Sequence, residues 1–149
     1  MKAPEILETK RLILKLYSKE DAKNILNPYI VFDEGFSLTI VSKERAEPCG
    51  ICSLQTIDGN EVRCLYGLLP ECRGNGYAIE AMLKLIEYAF TELKNPKIVA
   101  HIHPNNTPGW KVAERIGMKY MGQIKHNDIN PYAMLFTIDR EEYVIQHLY

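Results

Sequence analysis

Apolar positions fall in short strand-like blocks through the first half of the chain and recur every three or four residues after it. "RLILKLY" (11–17), "FSLTIVSK" (36–43), "GICSLQTI" (50–57) and "EVRCLYGLL" (61–69) have the length and side chains of strands, with "ERAEP" and "DGN" supplying turns. Successive strands joined by short turns predict an antiparallel meander. Ser18 with Asp21 three residues on predicts the capped start of a short helix ending near Asn27-Pro28. From Ile79 the apolar residues stand at 79, 82, 83, 86, 90 and 93, one face of a helix about four turns long. "KIVAHIH" (97–103) reads as a strand and "NNTPGWKVAERIG" as a helix, with Thr107 as N-cap, Pro108 in the first turn and Gly117 at the end. "KYMGQI" (119–124) and "YAMLFTI" (132–138) form a closing strand pair before a tail, "REEYVIQHLY". The expected class is mixed α/β (α+β): a mostly antiparallel central sheet flanked by helices.

Length and charge narrow this picture. The 149 residues suit one domain, 1–149, a size at which folding hides roughly 70% of the chain's surface. The composition, 46% hydrophobic and 25% charged, contains no apolar run long enough to span a bilayer, and the first residues lack the pattern of a secretory signal. A net charge of −1 does not favour a nucleic-acid partner. These features point to a cytoplasmic protein without nucleic-acid or membrane partners. Cys49 and Cys52 form "CGIC", but three residues apart on a strand they point to opposite faces and suit neither a bridge nor a metal site. Cys64 and Cys72 add no second CxxC, so all four cysteines read as buried thiols.

Residues 70–80, "PECRGNGYAIE", carry the candidate chemistry. Here a strand runs into a glycine-rich turn and then into the long helix. A helix N-terminus leaves backbone N–H groups unpaired at the positive end of its dipole. Glycines let such groups converge on a phosphate, and Arg73 adds a permanent positive charge. A flexible turn that binds nothing is the alternative. The stretch lacks the Gly-Lys-Ser/Thr of a Walker loop and the third small residue of a dinucleotide fingerprint, which leaves the pyrophosphate of another cofactor.

"RGNGYA" resembles the Arg/Gln-x-x-Gly-x-Gly/Ala loop of the GNAT superfamily of acetyl-CoA-dependent N-acetyltransferases. "YGLLPECRGNGYAIEAM" resembles the family's strand–loop–helix, and "HPNNTPGWKVAERIGMKY" its next strand–Asn–helix segment. "ETKRLILKLYSKEDA" is similar to the opening of the branch containing ribosomal-protein N-terminal acetyltransferases. The resemblance covers nearly the whole chain and implies acetyl-CoA as cofactor. Arg73, Gly74, Asn75, Gly76, Tyr77 and Ala78 would hold the pyrophosphate through their backbone. Leu68 and Leu69 would lie on a bulged strand beside the pantetheine, with the Leu69 N–H stabilising the thioester oxyanion. Asn106 would contact the pantetheine arm, unless it only opens a helix.

The resemblance also implies direct acetyl transfer to an amine, a protein N-terminus or a small molecule, with no protein nucleophile. Cys72 is then a packing residue. Three departures stand out: Ala113 where the family's acid tyrosine falls, Gly109 where a serine is common, and Arg63 where a glutamate is common. Glu61, two residues from Arg63 on the same strand face, is the candidate base through water, with a surface ion pair as its alternative. His103 is a second candidate base, otherwise a loop-entry residue. The family's second helix has no counterpart in "NPYIVFDEGF", which suggests an open or partner-completed acceptor site; Asp33 and Glu34 there are candidates to attract a cationic amine, with ordinary exposed loop acids as the alternative. Tyr149 and the tail are expected to enter either that site or a homodimer interface. Two rival readings remain: a non-catalytic acyl-CoA-binding module of the same fold, and a protein using the loop for ATP or NAD.

Overall fold

A computed structural model describes residues 1–18, 34–57, 61–126 and 129–148. The described residues build one sheet of eight strands: β1 (Ile6–Glu8), β2 (Leu12–Leu16), β3 (Gly35–Ser42), β4 (Glu47–Thr56), β5 (Val62–Leu68), β6 (Lys97–Ile102), β7 (Lys119–His126) and β8 (Ile129–Asp139). Their spatial order is β1-β2-β3-β4-β5-β6-β8-β7. β3, β4 and β5 form the expected meander, which β2 and then β1, a strand the sequence reading lacked, extend in antiparallel fashion. β5 and β6 pair in parallel, and β8 lies between β6 and β7. A 3-10 turn (Pro70–Cys72) leads towards helix α1 (Tyr77–Thr91); α2 (Thr107–Arg115) and α3 (Arg140–Leu148) follow.

α1 forms because its apolar residues share a stripe: Ala81, Met82, Leu85, Ile86, Ala89 and Phe90 are all buried. They meet Leu12, Leu14, Leu38, Ile40, Leu54, Val62 and Cys64 from the sheet in one core. Each fully buried aliphatic side chain there contributes about 1.5–3 kcal/mol relative to exposure.

Four differences from the sequence reading have identifiable causes. The tail is helix α3, docked by Tyr143 against Phe90 of α1 at 5.0 Å between ring centroids and by Arg140 Nε donating to the Phe90 carbonyl at 2.9 Å. It therefore packs at the C-terminal end of α1. The turn between β3 and β4 is Lys43–Ala46, so Glu47 and Pro48 already belong to β4. The bulge expected on β5 is on β4 instead, where the register with β3 shifts between Ile40↔Gly50 and Val41↔Pro48 around Cys49. The helix at 107 is capped by Asn106, not by Thr107. The helix expected after Ser18, Asp33 in the shortened segment behind it, and Tyr149 lie outside the described residues.

Candidate active site

β5 and β6 share a short parallel ladder, Val62↔Ile98 and Arg63↔Val99, and then part. A V-shaped gap opens beyond it. Which β5 backbone groups face the gap follows from the ladder on the other side. The Ile57 N–H donates to the Glu61 carbonyl at 2.9 Å and the Leu69 N–H to the Cys49 carbonyl at 2.8 Å. The β4–β5 register runs unbroken between these points, and hydrogen-bonded pairs alternate along an antiparallel ladder. Odd-numbered β5 residues therefore bond to β4, while Tyr66 and Leu68 turn their N–H groups into the gap. Leu69, the expected oxyanion donor, has its N–H committed to β4. A difference of one residue exchanges the two sides of a strand.

At the loop, Gly74 (φ 86°) and Gly76 (φ 75°) adopt the left-handed conformation that side chains disfavour. The Arg73 N–H donates to the Pro70 carbonyl at 3.3 Å, and the first helical bond is Glu80 N–H to the Gly76 carbonyl at 3.1 Å. Among the described residues, the intervening N–H groups of Gly74 to Ile79 have no partner. The unpaired run is thus shifted one residue from the expected 73–78: Arg73 offers its side chain only, and Ile79 joins.

Arg11, from the turn between β1 and β2, fixes the loop from outside. Its Nη1 donates to the Asn75 carbonyl at 2.8 Å and its Nε to Glu80 Oε1 at 2.7 Å, while its guanidinium lies over the Tyr77 ring at 4.8 Å. Thr9 Oγ1 and the Arg11 N–H hold the other Glu80 oxygen. Because a trans peptide is planar, drawing the Asn75 carbonyl towards Arg11 turns the Gly76 N–H away from it.

A cavity of about 630 Å³ joins loop and gap. Arg73, Gly74, Gly76, Tyr77, Ala78 and Leu68 line it, as does Asn106; Asn75 and Leu69 do not. Arg115 adds a second cation to its lining. Asn106 Oδ1 accepts the Gly109 N–H at 3.1 Å, which caps α2. A Cβ at Gly109 would meet Asn106 Nδ2 at 2.5 Å, so the space next to the helix that a serine could use is filled by the asparagine. Asn106→Ala should lower stability by about 1 kcal/mol through loss of the cap, read as a fall in denaturation midpoint.

Tyr66 lies in the gap and donates its hydroxyl to the Gly109 carbonyl at 2.6 Å, bracing β5 against α2. Burial pushes its phenol well above the ordinary range, and the Ala113 backbone approaches the same oxygen. The hydroxyl therefore reaches the helix position where the tyrosine side chain is lacking.

His103 has both ring nitrogens occupied in this arrangement. The Asn105 N–H donates to Nδ1 at 3.0 Å, and Nε2 pairs with the Asn130 carbonyl at 2.8 Å. The carbonyl requires the proton on Nε2, so both ring nitrogens are engaged and the ring organises the loop after β6. Glu61 precedes β5 at the closed end of the V, five residues and about 16 Å of strand from Tyr66. Neither candidate base lines the cavity.

Arg63, His101 and His126 cluster instead on the sheet face opposite α1. Arg63 Nη2 donates to Gln55 Oε1 at 2.7 Å, its Nη1 lies 3.3 Å from His126 Nε2, and the His101 and His126 rings meet edge-on at 5.2 Å. Burial, then the charges of Arg63 and His126, push the His101 pKa down to about 4. A folded pKa below the unfolded value of about 6.5 means that acid favours the unfolded chain. Stability should thus fall as pH drops from about 6.5 towards 4. Discounted for the ring's partial solvent access, the loss is roughly 1–2 kcal/mol. His101→Gln should flatten the urea midpoint between pH 7 and pH 5.

Residues 3–119 match the family model described as "Acetyltransferase (GNAT) domain". The "Uncharacterized N-acetyltransferase p20" of Bacillus licheniformis is 31% identical over 107 residues, covering 70% of this chain and 60% of that protein. The "Uncharacterized protein YkkB" of Bacillus subtilis is 35% identical over 95 residues, covering 61% and 55%. The matches thus span little more than half the length of these relatives. An acetyltransferase (GNAT family) from Bacillus anthracis shares the fold at a TM-score of 0.77 and 20% identity, covering 91% of this chain and 99% of that one. A spermidine/spermine N-acetyltransferase from Vibrio cholerae does so at 0.75 and 17%, covering 92% and 97%.

Proposed function

This chain belongs to the GNAT acetyltransferase family, and from that premise we propose that it moves the acetyl group of acetyl-CoA to a primary amine in a ternary complex. The observation that carries this reading is the run of unpaired N–H groups at Gly74–Ile79, opening into the same cavity as Tyr66 and Leu68. An anionic pyrophosphate is the natural partner for such a run, with Arg73 and Arg115 as counter-charges. The bound cofactor would supply an activated thioester. The Tyr66 and Leu68 N–H groups are positioned to pair with an extended pantetheine arm and to stabilise negative charge on its carbonyl oxygen. Asn106, whose Oδ1 is committed to the cap, retains its Nδ2 donors for the arm. The Tyr66 hydroxyl, whose single proton the Gly109 carbonyl accepts at 2.6 Å, would serve the departing thiolate by turning from that carbonyl to the sulfur.

The acceptor is an amine, either a protein N-terminus or a small molecule; the spermidine/spermine acetyltransferase among the structural neighbours supports the second. With His103 tied and Glu61 distant, the ammonium proton leaves to solvent before attack. The value of kcat/KM should then climb with pH until it nears the amine's own pKa, about 10 for an alkylamine. A plateau below pH 7.5 would instead reveal a base in the protein.

Amine-dependent release of free thiol from acetyl-CoA, followed across a panel of polyamines, amino acids and short peptides, tests the proposal. Saturable acetyl-CoA binding without thiol release would favour the non-catalytic acyl-CoA module, which the engaged His103 and the replaced family residues at 63, 109 and 113 also fit. The expected cytoplasmic location and homodimer belong to the same proposal. No helix of the described residues is long and apolar enough to cross a membrane.

A further inference from the structure

We propose that Cys49 and Cys72 form a reversible thiol–disulfide pair, closed by a hydroperoxide, that fixes the turn entering the Arg73–Gly76 loop onto β4. The two sulfurs lie 2.7 Å apart, about 0.65 Å longer than a disulfide bond of about 2.05 Å. They come from distant parts of the chain. Cys49 sits at the β4 bulge, and Cys72 ends the 3-10 turn immediately before the loop. Cys49 also anchors Leu69 through its carbonyl, so backbone and sulfur contacts hold the same turn to the same strand.

The other two thiols provide an internal comparison. Cys52 and Cys64 are likewise buried on β4 and β5, yet no sulfur–sulfur hydrogen bond links them among the described residues. Arg45 separates the pairs further. Its Nη1 lies 3.7 Å from Cys72 Sγ and donates to the Glu71 carbonyl at 3.4 Å, bringing a guanidinium from the exposed β3–β4 turn to this sulfur. This contact marks Cys72 as the sulfur nearer the surface and hence the one that meets an entering oxidant, while Cys49 lies behind it at the bulge. Cys72 is only 2% exposed, so the oxidant must be small and must enter beside Arg45.

The chemistry balances in two steps. The Cys72 sulfur attacks the hydroperoxide O–O bond, giving a sulfenic acid and releasing an alcohol, or water from hydrogen peroxide. Cys49 then attacks the sulfenic sulfur, forming the S–S bond and expelling water. The two thiols are oxidised by two electrons and the peroxide is reduced by two.

The test uses the full chain treated with hydrogen peroxide at neutral pH. Thiols counted with a maleimide in denaturant should fall from four to two, the mass should drop by two hydrogens, and digestion should join the Cys49 and Cys72 peptides. Dithiothreitol should restore all four. Cys49→Ala should leave a Cys72 sulfenic acid that dimedone traps. Amide exchange at Gly74–Gly76 should slow at least threefold in the bridged protein, a readout that needs neither acetyl-CoA nor activity. Retention of four thiols, or a bridge between Cys52 and Cys64, would overturn the pair. Unchanged exchange at Gly74–Gly76 after bridging would overturn the clamp.

Discussion

Replacing Gly76 by aspartate is expected to leave the protein folded and to weaken acetyl-CoA binding roughly tenfold to a hundredfold. Gly76 is the N-cap of α1 at φ 75°, and among the described residues the one atom within 4 Å of a Cβ built there is Arg11 Nη2, at 3.5 Å. Aspartate tolerates the left-handed conformation better than most residues and is a favoured N-cap, so strain and capping offset each other to within about 1 kcal/mol. The function fares differently. The new carboxylate would stand at the mouth of the unpaired N–H run, taking those donors for itself and repelling a pyrophosphate. Two like charges about 4 Å apart near a protein surface cost about 4 kcal/mol, and pairing of the new carboxylate with Arg11 offsets part of this, leaving roughly tenfold to a hundredfold in affinity. Calorimetric titration with acetyl-CoA, beside a thermal melt, separates the outcomes. Undiminished binding by a folded Gly76→Asp variant would place the pyrophosphate elsewhere.

Tyr66→Phe should lower kcat about tenfold to a hundredfold while leaving the KM for acetyl-CoA within about twofold. The argument turns on which proton moves. Burial lifts the phenol pKa above its ordinary range, whereas a thiol has a pKa of about 8.5. Outright proton transfer to the leaving thiolate is therefore uphill. What the hydroxyl can supply is a hydrogen bond to a charged acceptor, about 1.5–3 kcal/mol, and hence the modest factor. The same hydroxyl braces Gly109, so a structural effect must be separated from a catalytic one. Loss of the brace alone would lower stability by about 1 kcal/mol and leave kcat unchanged. Leaving-group dependence distinguishes the cases. With an acyl donor whose thiol has a lower pKa the deficit should shrink, because that thiolate needs less help.

Much of this architecture was legible in the sequence because the relevant signals are local. The meander at 36–69, the helix stripe from Ile79 and the Thr107-Pro108 helix start depend on periodicity and caps within a few residues. The conformation of the loop was legible for the same reason: two glycines between a strand and a helix predict the left-handed turn found at Gly74 and Gly76. What escaped depends on register and on distance along the chain. Whether Leu69 or its neighbours face the gap is fixed by the β4 ladder, and nothing near residue 69 encodes that parity. Tyr66 looked like one more alternating strand residue, and its role follows only from the approach of Gly109 across 43 residues. His103 had the right chemistry on the right strand, yet the Asn105 amide and the Asn130 carbonyl occupy its nitrogens. All four cysteines are buried and free as read, but nothing local to either residue signals the approach of the Cys49 and Cys72 sulfurs to 2.7 Å across 23 residues.

The Arg11 contacts carry a consequence for portability. Every letter of the phosphate-loop motif lies between residues 70 and 80, so the motif reads as a self-contained cassette. Its conformation is not self-contained, because the guanidinium that aligns the Asn75–Gly76 peptide arrives from 64 residues upstream, together with the Thr9 hydroxyl. A fragment beginning at Glu61, or the same undecapeptide grafted between a strand and a helix of another scaffold, would keep the glycines and lose the alignment. Under the proposed function the two halves of the chain act as one binding unit, and minimising this protein from its N-terminus is expected to remove acetyl-CoA affinity before it removes the motif.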